Sequence, residues 1–122
     1  MLVIEISQLL KRYISIARNK YCKEIDDAHN AFGGSYENFK INTVYKNAVC
    51  LCLMQIGELS TKLSEDFKTN HNNIPWKQIR GMRNVVAHEY GHIDYEIVWE
   101  TIEEGIPTLK DFCCDVLGID NL

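Results

Sequence analysis

Asn73-Ile-Pro-Trp-Lys-Gln-Ile-Arg-Gly-Met-Arg-Asn-Val-Val-Ala-His-Glu-Tyr-Gly-His-Ile-Asp94 is the stretch on which the reading of this chain turns. Proline is tolerated at the first position of a helix and rarely further in, so Pro75 marks a start. Gly91 suits a left-handed helix C-cap, and Asp94 suits the N-cap of the next helix, with Ile93 and Val98 at hydrophobic-staple spacing. The spacing predicts a helix from Pro75 to about Tyr90. It carries Lys77, Arg80 and Arg83 within seven residues and ends on His88, Glu89 and Tyr90.

Upstream, Ile6, Leu9, Leu10, Tyr13, Ile14, Ala17, Tyr21, Ile25 and Ala28 recur at helical spacing, and Gly33-Gly34-Ser35 ends that run. A second helix is expected from Asn42-Thr43 to about Lys68, with a core stripe of Tyr45, Val49, Cys52, Ile56, Leu59 and Leu63. Val44, Ala48 and Leu51 give it a second apolar flank, which calls for another neighbour: either a partner subunit or the interior of a four-helix core. Thr69–Asn73 reads as a polar loop. Downstream of Asp94, Gly105 and Pro107 should kink or interrupt the fourth helix before its apolar face resumes at Leu109, Phe112 and Val116. The pattern is all-α, a four-helix bundle, and 122 residues without repeats or low-complexity segments read as a single domain over 1–122.

Apolar content of 46% and charged content of 25% place the chain among globular proteins. Its longest apolar run, Ala48–Met54, is too short to span a bilayer, and no signal peptide is visible. The five cysteines lack metal-type spacing, which fits a reduced, cytoplasmic protein. A net charge of −4 counts against bulk, non-specific binding of nucleic acid. The distribution is uneven. Pro75–His92 holds three Lys/Arg and one acid, whereas Asp94–Leu122 holds eight acids and only Lys110. A small positive patch on an acidic body suits a confined phosphate site.

Two chemistries compete for the central stretch. His88-Glu89-Tyr90-Gly91-His92 matches the H-E-x-x-H zinc pattern, which needs both histidines on one continuous helix. Gly91 between them and a new helix at Asp94 argue against that geometry. Arg83-Asn84-x-x-x-His88-x-Tyr90 instead suits metal-free RNA cleavage. A histidine near its ordinary pKa of about 6.5 exchanges a proton with the ribose 2′-hydroxyl or the leaving oxygen. The guanidinium binds the phosphate and its transition-state charge. Five residues turn a helix by about 500°, which sets Arg83 and His88 roughly 140° apart, so two copies meeting along this helix would complete the site. The bland alternative is an arginine in a salt bridge and a histidine on the helix C-terminal dipole.

From Ile74 to Leu109 the sequence, with Ala48-Val49 and Ile56-Gly57-Glu58, resembles the HepT family of HEPN ribonucleases. Arg83, Asn84, His88 and Tyr90 match that family's motif. The resemblance implies a HEPN-type four-helix bundle and an RNA-cleaving toxin of a toxin–antitoxin pair. It implies a homodimer without metal or cofactor, with Arg83, His88 and a supporting Asn84 catalytic. It also implies an MntA-type nucleotidyltransferase antitoxin that transfers AMP from ATP to Tyr90. A non-catalytic HEPN-like module that binds a nucleotide or a nucleotidyltransferase is the alternative. Trp76 and Trp99 read as core. Lys77 and Arg80 either extend the phosphate patch or lie on a solvated face. His92 is either an auxiliary RNA or AMP contact or a solvated loop residue. His29 and His71 carry no signal.

Overall fold

Among the described residues, four side-chain caps and the left-handed glycines Gly33 and Gly118 punctuate the helices. Ser35, Asn42, Ser64 and Asp94 each accept a bond from a backbone N–H two or three residues on, at 3.0–3.4 Å. Each such cap contributes roughly 1 kcal/mol. Gly33 (φ 96°) and Gly118 (φ 69°) close the helices before them in the left-handed conformation that residues with a Cβ avoid. The computed structural model describes residues 2–88 and 93–118, with side chains at 8, 10–83 and 93–118. Among the described residues there is no strand, and no helix is long and apolar enough to cross a membrane.

The first helical run is α1 (Leu2–Ile16), a π-helical segment (Ala17–Cys22) and α2 (Lys23–Phe32). It ends at Phe32, four residues beyond Ala28, with Gly33 as its cap. Its wider π turn holds an additional residue, and Cys22 becomes fully buried where the α-periodic stripe had Tyr21, which is only partly buried. A short α3 (Tyr36–Ile41), which the periodicity does not predict, follows; Phe39 anchors it against Tyr45 and Trp99.

The central helix α4 (Thr43–Ser60) buries Tyr45, Val49, Cys52 and Ile56 of its expected core stripe, with Leu53 beside them, while Leu59 is half-buried and Leu63 is buried beyond the end of the helix. It stops eight residues short of Lys68, which corrects the expected length. Ser60 and Thr61 donate their hydroxyls to the carbonyls of Gly57 and Glu58, at 2.6 and 2.7 Å, and Ser64 then caps a separate α5 (Glu65–Asn70). α6 (Trp76–His88) begins directly after Pro75. The last run is α7 (Tyr95–Glu100), a π-helical segment (Thr101–Gly105) and α8 (Ile106–Leu117). The interruption expected at Gly105 and Pro107 is this π segment, which leaves Pro107 in the first turn of α8. Ile93 and Val98 are both buried beside the Asp94 cap.

The protein is thus an all-α bundle of four principal helical runs, in which α4 packs most extensively on α6 and next on α2. Two aromatic clusters close its ends: Phe39, Tyr45 and Trp99 with His29 at one, and Phe67, Trp76 and Phe112 with His71 at the other. All five cysteines are buried and free. Burial pushes the thiols of Cys22, Cys52 and Cys113 up to about 12 and that of Cys50 to about 11, which removes them as nucleophiles at neutral pH.

Candidate active site

The candidate site begins with an omission, the missing side chain at Gly57. A Cβ there would lie 2.8 Å from the carbonyl oxygen of Ile79 and 3.0 Å from the Cβ of Arg83. With hydrogen alone, α4 and α6 touch backbone to backbone, and Ile79 and Met82 pack inward beside the crossing. The next residue on α4, Glu58, then meets Arg83. Its Oε2 lies 2.5 Å from Arg83 Nε in an ion pair, with both side chains part-exposed. The contact is made at Nε, and the terminal amino groups of a guanidinium form the fork that binds phosphate.

Arg83 therefore makes the ion pair that the bland reading assigns it. The α-helix is continuous through position 88, and its register keeps positions 83 and 88 about 140° apart. Within one chain the two do not share a face of α6. The side chains of Asn84 and His88 lie outside the described residues, as do Glu89, Tyr90, Gly91 and His92 entirely. The expected Gly91 cap, the AMP acceptor and the second histidine of the zinc pattern fall with them. Among the described residues no cluster of His, Cys, Asp and Glu is arranged to hold a metal ion.

Gln78, also on α6, donates to the buried Thr101 hydroxyl at 2.9 Å, and that hydroxyl donates to the Ile97 carbonyl at 2.9 Å. This chain fixes the roll of α6 against the last helical run. Trp76 is half-buried, with Nε1 donating to the His71 carbonyl at 3.0 Å, and Trp99 packs in the other aromatic cluster. Both are core-lining residues, as expected. His71 is held between the rings of Phe67 and Phe112. His29 bonds the Tyr45 hydroxyl. Lys77 and Arg80 are exposed and face a cleft against α5.

Sequence reading missed Glu58 as the partner of Arg83 and missed Gly57 as the crossing point. A glycine in the middle of an apolar helix was the available signal, since it costs about 1 kcal/mol against alanine and calls for a packing reason.

A family model described as Ribonuclease HepT-like matches residues 19–116. "Putative RNase TTE0752" of Caldanaerobacter subterraneus subsp. tengcongensis is 39% identical over 85 residues, covering 70% of this chain and 76% of its own. "Probable ribonuclease HepT" of Thermococcus cleftensis is 37% identical over 75 residues, covering 62% and 68%. No solved structure matches. With four-fifths of its length matched by that model and a helical bundle to carry it, the chain belongs to the HepT-like ribonuclease family.

Proposed function

We propose that this chain is a metal-independent RNA endonuclease in which Arg83 and His88 do the chemistry and Asn84 supports it. The observation that carries the reading is Arg83 itself, a part-exposed guanidinium ion-paired with Glu58 at the α4–α6 crossing, five positions before a histidine on the same helix. The ribose 2′-hydroxyl attacks the adjacent phosphorus and the 5′-oxygen departs, leaving a cyclic 2′,3′-phosphate. One proton leaves the 2′-hydroxyl and one is delivered to the 5′-oxygen. A histidine titrating near neutrality serves either transfer, and Arg83 neutralises the extra phosphoryl charge.

The working unit in this proposal is a homodimer. Val44 and Leu51 are 65% and 53% exposed, and with Ala48 they form an apolar stripe on α4 that ends at Glu58. A second copy seated on that stripe would reach the Arg83 pair and could supply His88 from across the two-fold axis.

Control in the proposal falls on Tyr90. Its phenol oxygen attacks the α-phosphorus of ATP on an MntA-type nucleotidyltransferase, pyrophosphate leaves, and the AMP group brings a negative charge and a bulky nucleoside to a site meant for RNA. The chain is then the toxin of a cytoplasmic toxin–antitoxin pair.

The deciding experiment is RNA cleavage by wild type and His88→Ala, with and without a chelator. Wild type should cut in the presence of chelator and leave cyclic-phosphate ends, and His88→Ala should be inactive with unchanged helical content. Undiminished cleavage by His88→Ala, or cleavage that requires zinc, would remove this mechanism.

A further inference from the structure

Between α5 and the first turns of α6 lies a cleft of about 570 Å³ whose walls include Lys68, Lys77, Arg80 and Trp76, with Glu65 as the one acid. The charge is concentrated by the fold. Lys68 comes from α5, which Ser64 starts as a separate helix, and Lys77 and Arg80 come from one turn of α6. The Lys68 side chain is only 11% exposed, and its ammonium lies 3.2 Å from the outward-lying Glu65. Among the described residues no ion pair engages Lys77 or Arg80. Three cations against one acid, on a chain of net charge −4, repel one another until a polyanion arrives.

The cleft also has a platform. Trp76, half-buried, is held by its Nε1 bond to the His71 carbonyl and by edge contact with Phe112, and it is one of the residues that line the cleft. An unpaired base stacks on such a ring whatever its sequence. Helical register relates the cleft to the catalytic positions. Positions 77, 84 and 88 fall within about 40° of one another around α6, and Arg80 and Lys77 precede position 88 by about 12 and 17 Å along the axis. That is the reach of a few nucleotides.

We propose that this cleft is a second RNA subsite, in which Lys77 and Arg80 hold backbone phosphates of a single strand and Trp76 stacks one of its bases, a few nucleotides from the bond that is cut. The location relative to the cut rests on the ribonuclease reading above; the binding itself does not. Contacts of this kind carry affinity without sequence preference.

The test uses the His88→Ala chain, so that nothing is cleaved, and a fluorescein-labelled oligouridylate about a dozen nucleotides long, read by anisotropy over a salt series. Adding Lys77→Gln and Arg80→Gln should weaken binding at least about tenfold. Losing two phosphate contacts should flatten the slope of log affinity against log salt by about 1.4. The same charge change at the exposed Lys11 and Lys40, far from the cleft in sequence, should leave affinity within about twofold, and Lys77→Arg should retain it. All four positions are exposed, so these variants should fold. Unchanged affinity and slope in the Lys77→Gln/Arg80→Gln chain would overturn the subsite, as would equal losses in the Lys11→Gln/Lys40→Gln control. In parallel, wild type is offered the same oligonucleotide and natural RNA. Cleft-dependent binding with no cleavage of either RNA keeps the subsite and overturns the ribonuclease reading, whereas cleavage without cleft-dependent binding does the reverse.

Discussion

Gly57 on α4 and Arg83 on α6 approach so closely that a Cβ on the first would lie 3.0 Å from the Cβ of the second and 2.8 Å from the backbone oxygen of Ile79. Backbone cannot give way as a flexible side-chain end can. Gly57→Ala must therefore push the helices apart, at an overpacking cost of about 1–3 kcal/mol, against about 1 kcal/mol regained from helix propensity. A net loss of about 1 kcal/mol and a fall of several degrees in melting temperature are expected. Gly81, in the middle of α6 with nothing within 4 Å of its would-be Cβ, makes the opposite prediction. Gly81→Ala should stabilise by about 0.5–1 kcal/mol. Equal melting temperatures for the two variants would show that the crossing is not tight.

Glu58 follows from the same crossing. Its pair with Arg83 is part-exposed, so Glu58→Gln should cost under about 1 kcal/mol of stability. Its larger effect should fall on cleavage. Without the carboxylate on Nε the guanidinium is free to rotate, and RNA cleavage should drop about tenfold, with Arg83→Ala lower still. A Glu58→Gln enzyme as fast as wild type would mean that the carboxylate does not position Arg83. A faster one would mean that it competes with the RNA phosphate.

What the sequence makes legible here is periodic or local. The alternation of Tyr45, Val49, Cys52 and Ile56 announces the face of α4, and Asp94 announces the start of α7. The end of α4 escapes because Leu63 continues the apolar phase past Ser60, while the stop is made by hydroxyls turning back on carbonyls. α3 escapes because six residues cannot sustain a helix by themselves, and it stands on the burial of Phe39. At the site, Arg83 stands out by its spacing from His88, but its partner is 25 positions away on another helix, a distance at which no local pattern operates. The cleft at Lys68 stays hidden for the same reason, once α5 is read as the tail of α4.

His29 should make stability depend on pH. Burial lowers its pKa below the usual 6.5; nearby Lys110 acts in the same direction, while Asp26 and Glu103 oppose. The unfolded chain then binds the proton more readily than the folded one, so stability rises with pH through this window. The contribution is present above about 6.5 and is lost as pH falls through the folded value. Thermal unfolding between about pH 7.5 and 5 should show wild type losing more than His29→Gln, whose side chain does not titrate. Parallel curves for the two chains would assign the acid sensitivity to other groups.

Under the proposed control by AMP transfer, Tyr90→Phe keeps the ring and removes the acceptor oxygen, so this chain should resist an MntA-type partner supplied with ATP. Wild type should gain one or more AMP masses on the peptide that contains Tyr90 and lose cleavage. Each activity must be measured with and without the partner, which separates loss of the acceptor from loss of a hydroxyl contact to RNA. Full silencing of Tyr90→Phe would point to occlusion by the bound partner in place of modification.

The last prediction joins the apolar stripe of α4 to the offset on α6. Val44, Ala48, Leu51, Gln55 and Glu58 fall within about 80° on α4, so the exposed stripe leads directly to the residue that holds Arg83. Leu51 is 53% exposed, and Leu51→Glu should therefore leave the single chain folded, within about 0.5 kcal/mol. In a dimer closed over the stripe the same change buries two unpaired carboxylates, and sedimentation should show monomers. If Arg83 of one copy works with His88 of the other, those monomers should not cleave RNA. Mixing Arg83→Ala with His88→Ala chains then separates a shared site from a private one. In a shared arrangement each mixed dimer has one site that lacks both groups and one that retains both. Random pairing makes half of the dimers mixed, so an equal mixture should recover about a quarter of wild-type activity from two inactive parents. If each chain builds its own site, both sites of a mixed dimer are crippled and the mixture stays as inactive as its parents. A wild-type chain that sediments as a monomer at concentrations where it cuts RNA would end the shared-site account.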